Sequence, residues 1–355
     1  MAKKLMKGNE AIAEAAIQAG CRFFFGYPIT PQNEIPEYMA KRMPQVGGCF
    51  VQAESEVSAI NMVYGAAGAG ARVMTSSSSP GISLKQEGIS YAVGAELPMV
   101  VVNIVRGGPG LGSIQPAQSD YYQATRGGGH GDYRMLCYAP SSVQEAVDLM
   151  AKAFDAADEY RNPVMMLGDG MLGQIMEPVE MVSPREGALP EKTWAAGVPE
   201  NKGRAVINSL FIDPIENERH NQLLEAKYQA MRERETLSES IGTQRAEVIL
   251  VAYGTMARIC ERAARDAQKA IGAKVGLVRP VTVWPFPDDA IRQAAAQPSV
   301  KRVIAVEMSA GQMVDDVRIA VNGTKPVGFY GTTGGVVPTV QNILDHIQAA
   351  LKEGN

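Results

Sequence analysis

A hydroxyl, two carboxylates and an arginine stand out because each follows a short apolar run. Thr30 lies just past Phe23-Phe24-Phe25-Gly26, Glu54 and Glu56 follow Cys49-Phe50-Val51-Gln52, and Arg106 ends the run Val100 to Val105. A serine run, Ser76 to Ser79, follows Val73-Met74-Thr75 in the same manner. In an open α/β sheet, ligands gather outside the carboxyl ends of the strands, so these distant residues can share one edge. An arginine there can grip a carboxylate with its planar fork, and Gly107-Gly108 beside it lets a ligand approach the backbone. A carboxyl nearby can move a proton. Plainer readings exist: loops are polar, Arg106 could form a surface ion pair, and acids are favoured in a helix's first turn. One of Glu54 and Glu56 is expected to do only that.

The elements that would position these groups alternate. Asn9 is placed to cap a helix that Gly20 stops; the Phe23 run is a strand, and Gln32 to Arg42 a weak helix interrupted by Pro36. A strand at Cys49 precedes a helix with Val57, Ile60, Val63 and Tyr64 on one side. Further strands are read at Val73, at Met99 to Val105, at Met135 to Tyr138 and at Pro163 to Leu167. Ser142 and Glu145 form a capping box for the helix before the last of these. Strands apolar on both faces and alternating with helices predict a parallel sheet covered on both sides, an α/β fold.

From Glu177 to about Gln244 the alternation fails, and Asn217 to Ser240 reads as a charged, exposed helix. A second α/β unit starts at Glu247 with strands at Val248, Lys274 to Val283, Val303 and Val327, and a last helix from Thr339. The expected organisation is therefore a first domain over 1–177, a linker arm over 178–244 and a second domain over 245–355.

Bulk properties exclude several classes. A net charge of -4 over 355 residues gives no basic surface for nucleic acid or acidic lipid. No apolar stretch approaches the ~20 residues of a membrane helix, and the N-terminus lacks a leader's apolar core, so a cytoplasmic protein is expected. The four cysteines and three histidines are dispersed, which argues against an iron–sulfur cluster or a metal site built by this chain alone. Gly168-Asp169-Gly170, with Asn201 downstream, superficially matches a diphosphate-and-magnesium motif. Its interval holds Pro178, Pro184, Pro190 and Pro199 and no apolar strand, so no metal ligand is assigned to this chain.

Taken together, Gly26-Tyr27-Pro28-Ile29-Thr30-Pro31, Ala53-Glu54-Ser55-Glu56, Thr75 to Gly81 and Arg106-Gly107-Gly108-Pro109 resemble the alpha subunit of 2-oxoacid:ferredoxin oxidoreductases. Tyr253-Gly254-Thr255 and Arg279-Pro280-Val281-Thr282-Val283-Trp284-Pro285-Phe286-Pro287 are similar to that subunit's transketolase C-terminal-like domain. The branch it most resembles acts on 3-methyl-2-oxobutanoate. The resemblance implies a pyrimidine-type thiamine diphosphate domain whose cofactor is shared with a beta subunit. Mg2+ and 4Fe–4S clusters would sit on partners, including gamma and ferredoxin-like delta subunits. Coenzyme A would be a co-substrate, external ferredoxin the acceptor, and the assembly a dimer of hetero-oligomers. It also implies roles: Glu56 on the aminopyrimidine ring nitrogen, with Glu54 as second choice; Tyr27, Pro28 and Ile29 along the cofactor; Thr30 and Arg106 on the substrate. The alternatives are a member specific for 2-oxoglutarate or another 2-oxoacid, a lipoamide-linked relative, or a non-catalytic paired-domain assembly module.

Overall fold

The computed structural model describes residues 3–183, 189, 191–196 and 205–352. Its larger sheet has seven strands in the order Thr282–Trp284, Leu136–Tyr138, Pro163–Asp169, Met99–Val105, Val73–Ser77, Phe23–Gly26, Cys49–Gln52. All neighbours are parallel except the edge strand Thr282–Trp284, which runs antiparallel. Met99–Val105 and Pro163–Asp169 are buried at every position, as strands covered on both faces must be. Helix Gly8–Gln18 packs on Val143–Tyr160, and helix Glu56–Gly68 packs on Pro80–Gly94.

The strand order locates the crevice. From Phe23–Gly26 the chain moves outward to Cys49–Gln52, then crosses back to Val73–Ser77 on the other side of the first strand. Strand addition reverses there, and an open α/β sheet admits ligands at such a reversal.

A five-stranded sheet forms the second core, in the order Val327–Gly331, Arg302–Glu307, Val248–Val251, Val275–Pro280, Ser238–Ile241. Its loops close on the first sheet's carboxyl edge. The Tyr253 hydroxyl donates to the Gln118 carbonyl (3.2 Å), and Gln118 Nε2 returns a bond to the Tyr253 carbonyl (2.9 Å). Ser113 Oγ donates to the Gly334 carbonyl (3.1 Å), which lays the 332–336 loop beside the loop after Arg106.

Several local expectations are corrected. Asn9 lies inside the first helix, whose cap is Lys7; its amide instead donates to the Pro31 carbonyl and to Glu34, each at 2.8 Å. Pro36 does not interrupt the second helix, Glu34–Arg42, because it sits in the first turn, where no intrahelical N–H is needed. Ser142 caps its helix by accepting from the Glu145 N–H, but the Glu145 carboxylate turns to the Ser141 N–H and Arg279, so the reciprocal half of the box is not made. The charged stretch is helix Pro214–Glu235, and it is not exposed throughout: Leu224, Tyr228 and Met231 are buried against the first core. The region read as one strand from Lys274 to Val283 divides, Val275–Pro280 staying in the smaller sheet and Thr282–Trp284 crossing to the larger one.

Candidate active site

Four strand exits meet at the crevice. The second exit shows how the chain separates local structure from chemistry. Ser55 has extended backbone and caps helix Glu56–Gly68, its hydroxyl accepting from the Ser58 N–H (3.2 Å). Capping by Ser55 leaves Glu56, the first helical residue, with its carboxylate uncommitted; yet Glu56 is only 6% exposed. Glu54 is exposed and accepts from Ser58 Oγ (2.7 Å), a bond that holds its carboxyl below the usual range. Of the two acids, Glu56 is the buried one.

The third exit wraps Glu56. Helix Pro80–Gly94 begins after the serine run, and a Cβ at Gly81 would lie 2.1 Å from Ser77 Oγ and 2.6 Å from Glu56 Oε1. Only glycine permits this approach. Ser77 Oγ and Ser78 Oγ are buried without a hydrogen-bond partner. Ser79 holds a left-handed backbone (φ 26°) that a non-glycine residue adopts at a cost. Its hydroxyl donates to Asp120 (2.7 Å) and accepts from the Arg106 N–H (3.1 Å). Asp120 also accepts from Asn103 Nδ2 (2.9 Å), and burial pushes its carboxyl pKa up. This tie fixes the backbone of Arg106.

Arg106 joins the first and fourth exits. Nη1 donates to the Thr30 carbonyl (3.0 Å) and Nη2 to the Leu111 carbonyl (2.9 Å), while Nε is buried without a partner. Guanidinium carries five N–H donors, so donors remain for an anion. Thr30 is exposed, its hydroxyl accepting from Asn33 Nδ2 (3.3 Å). Tyr27, Pro28 and Ile29 form the turn that delivers it; Gln32 closes that turn through its backbone N–H on the Ile29 carbonyl (3.1 Å) and its amide on the Tyr27 carbonyl (3.3 Å). A cleft of about 570 Å³ opens beside Thr30, lined among others by Pro31, Ile114, Pro116, Met171 and Val337.

Asp169, in the Gly-Asp-Gly sequence, is occupied otherwise. It caps the short helix Gly170–Gln174 by accepting from the N–H groups of Met171 (2.9 Å) and Leu172 (3.1 Å), and it takes a short bond from Thr255 Oγ1. Burial raises its pKa against the pull of those bonds. Asn201 lies outside the described residues. Among the described residues, no group of three or more His, Cys, Asp or Glu is arranged to hold a metal ion.

Sequence reading missed Lys85. It is fully buried, donates to Thr75 Oγ1 (2.6 Å) and the Ser76 carbonyl (3.2 Å), and burial pushes its pKa down to about 7 against the opposing field of Glu56. The available signal was the spacing Gly81, Lys85, Gly88 on one helix face.

A parallel sheet with its crevice at the strand reversal, a buried carboxyl in the first turn of one helix and a second α/β domain closing on the same edge define a thiamine-diphosphate-type architecture. Family models agree: residues 14–242 match "Pyruvate flavodoxin/ferredoxin oxidoreductase, thiamine diP-bdg", and residues 246–343 match "Pyruvate:ferredoxin oxidoreductase core domain II". Ketoisovalerate oxidoreductase subunit VorB of Methanothermobacter marburgensis is 47% identical over the full length of both chains. The 2-oxoglutarate synthase subunit KorA of Methanothermobacter thermautotrophicus is 37% identical, covering 96% of this chain and 97% of its own. A solved 2-oxoglutarate:ferredoxin oxidoreductase from Magnetococcus marinus superposes with a TM-score of 0.84 at 26% identity. That match covers 98% of this chain and 65% of the solved chain, so this chain spans about two thirds of that one's length. A split-gene transketolase shares the fold, with a TM-score of 0.61 at 15% identity. The chain belongs to the 2-oxoacid:ferredoxin oxidoreductase family, as an alpha subunit. Among the described residues, no helix is long and apolar enough to cross a membrane.

Proposed function

We propose that this alpha subunit serves the coenzyme A-dependent oxidative decarboxylation of 3-methyl-2-oxobutanoate, yielding an acyl-CoA and CO2 and passing two electrons to ferredoxin. The observation that carries the site is the convergence of Glu56, Thr30 and Arg106 at one edge, fastened by the Arg106–Thr30 bond. Thiamine diphosphate fits this edge: Ser77 Oγ, Ser78 Oγ and Arg106 Nε are orphaned polar atoms, and the missing side chain at Gly81 lets the Glu56 carboxylate and Ser77 hydroxyl sit close together. When bound, the cofactor supplies a carbon nucleophile for the 2-oxo group and holds the electron pair left by CO2.

This chain's residues do the rest on its side. Glu56 holds or gives a proton at the aminopyrimidine ring nitrogen, Glu54 being committed to Ser58. Tyr27, Pro28 and Ile29 form the cofactor-side wall, the Arg106 guanidinium holds the substrate carboxylate, and the Thr30 hydroxyl orients the oxo group. Residues 1–177 form the cofactor-facing domain, 178–244 the arm and 245–355 the closing domain, with Thr282–Trp284 lent to the first sheet and Ser238–Ile241 of the arm lent to the second. The diphosphate with its Mg2+, and the 4Fe–4S clusters, belong to beta, gamma and delta partners in a dimer of hetero-oligomers in the cytoplasm.

The cleft supports a branched apolar substrate. Ile114, Pro116, Met171, Pro31 and Val337 face it, its lining includes no lysine or arginine, and Glu34 stands at its edge. A second substrate carboxylate would meet apolar groups and Glu34, whose own charge is already paired with Lys7 (3.1 Å), and would find no cation in the lining itself. The test is a panel of 2-oxoacids offered to the purified complex with coenzyme A and a viologen acceptor. The highest kcat/KM is expected for 3-methyl-2-oxobutanoate; preference for 2-oxoglutarate would overturn the substrate assignment.

A further inference from the structure

Helix Pro80–Gly94 turns one narrow face toward helix Glu56–Gly68. Gly81, Lys85 and Gly88 share that face by their spacing, as Glu56 and Ile60 do on the facing helix. A Cβ at Gly81 would lie 2.6 Å from Glu56 Oε1, and one at Gly88 would lie 2.6 Å from Ile60 Cγ2, so two glycines set a close seam with a lysine between them. Lys85 is wholly enclosed, and its described hydrogen-bond acceptors are neutral: Thr75 Oγ1 and the Ser76 carbonyl. Strand Val73–Ser77 thus offers it only hydroxyls and carbonyls, and strand Phe23–Gly26 behind it only the Phe25 carbonyl, which Thr75 Oγ1 engages (2.7 Å). Glu87, on its own helix, is occupied with Tyr91 at the surface. Glu56 is the charged group whose field reaches it.

A methionine would fill this volume without the cost of burying an ammonium. A buried cation facing one carboxylate across a glycine seam therefore points to function rather than packing. We propose that Lys85 is a positioning residue for Glu56: its ammonium stabilises the Glu56 carboxylate and so favours a proton on the aminopyrimidine ring nitrogen of thiamine diphosphate. The step is a proton transfer alone, from a Glu56 oxygen to that nitrogen, with no electron moved. It rests on the assignment of Glu56 to the cofactor.

The test uses the assembled complex loaded with thiamine diphosphate and magnesium, without substrate. Exchange of the cofactor's thiazolium C2 proton for deuterium is followed by NMR in wild type, Lys85→Met and Lys85→Gln, and the melting temperature of each complex is recorded. Lys85 carries its charge below about 7, so the wild-type-to-variant rate ratio is expected to be at least ~10 on the acid side and to fall toward unity above that pH. The melting temperature of Lys85→Met is expected to be maintained or raised, because a buried charge has been removed. A ratio of one at every pH, or a pH-independent loss that tracks a lowered melting temperature in both variants, overturns the proposal. Glu56→Gln is measured in parallel. If it exchanges as wild type does, the assignment of Glu56 itself fails; if it is inert while Lys85→Met matches wild type, only the role of Lys85 fails.

Discussion

Two strand exits of the same sheet carry a buried carboxylate, and they use it in opposite ways. At the exit of Cys49–Gln52, capping falls to Ser55, and the buried Glu56 carboxylate packs against Gly81 without serving as the cap. At the exit of Pro163–Asp169, the acid is itself the cap, and Thr255 takes what the helix leaves. A carboxylate committed to orphan N–H groups is structural, however suggestive its neighbours in sequence. A carboxylate placed one residue past a serine cap is free for a ligand.

That comparison can be broken by removing each acid in turn. Glu56→Gln should lower kcat of the complex by ~10²–10⁴, the usual weight of a general acid–base group, with the complex still folded and assembled. Asp169→Ala should invert this result: a loss of about 2–4 kcal/mol in denaturant unfolding, from a cap and a buried tie to Thr255, with turnover per folded complex retained. Inactivity of a fully folded Asp169→Ala complex would erase the distinction. Arg106→Ala should raise KM for the 2-oxoacid by roughly ten- to a hundredfold, the weight of a charge-assisted hydrogen bond. Lysine should not rescue it, since Arg106 also ties Thr30 to Leu111 through two separate nitrogens.

The smallest effect concerns pH. Burial raises the folded pKa of Asp169, so the folded state binds a proton more tightly than the unfolded chain. This contribution to stability is fully present below 3.8 and is lost as pH rises through the raised folded value. Asp169→Asn cannot titrate. The wild-type protein should therefore gain stability relative to Asp169→Asn as pH is lowered from neutrality through that window, and parallel pH-dependent melting curves would count against the buried-cap reading.

Much of this edge was legible in the chain itself. Strands such as Met99–Val105 announce themselves as unbroken apolar runs, and their ends locate Thr30, Glu56 and Arg106. Composition could also discount Asp169, because an apolar strand was missing after it. Asn9 was misread because its side chain is recruited by Pro31 and Glu34, a contact across the fold that no local cap rule anticipates. Thr282–Trp284 was read as a continuation of its own sheet, since nothing in a three-residue apolar run says which sheet it joins. The Ser79–Asp120–Asn103 tie joins three separate segments and has no periodicity to reveal it. Lys85 was hidden by its type: a helical lysine beside Leu84 reads as solvent-facing, and only the glycines at 81 and 88 mark the face as closed.

The most direct test is a structure of the assembled complex with thiamine diphosphate bound. A Glu56 oxygen is expected within hydrogen-bond reach, ~2.6–3.2 Å, of the aminopyrimidine ring nitrogen, with Asp169 still on Met171, Leu172 and Thr255. A pyrimidine ring nitrogen met by Glu54 or Asp169, or seated away from the Gly81 side of the crevice, would contradict it.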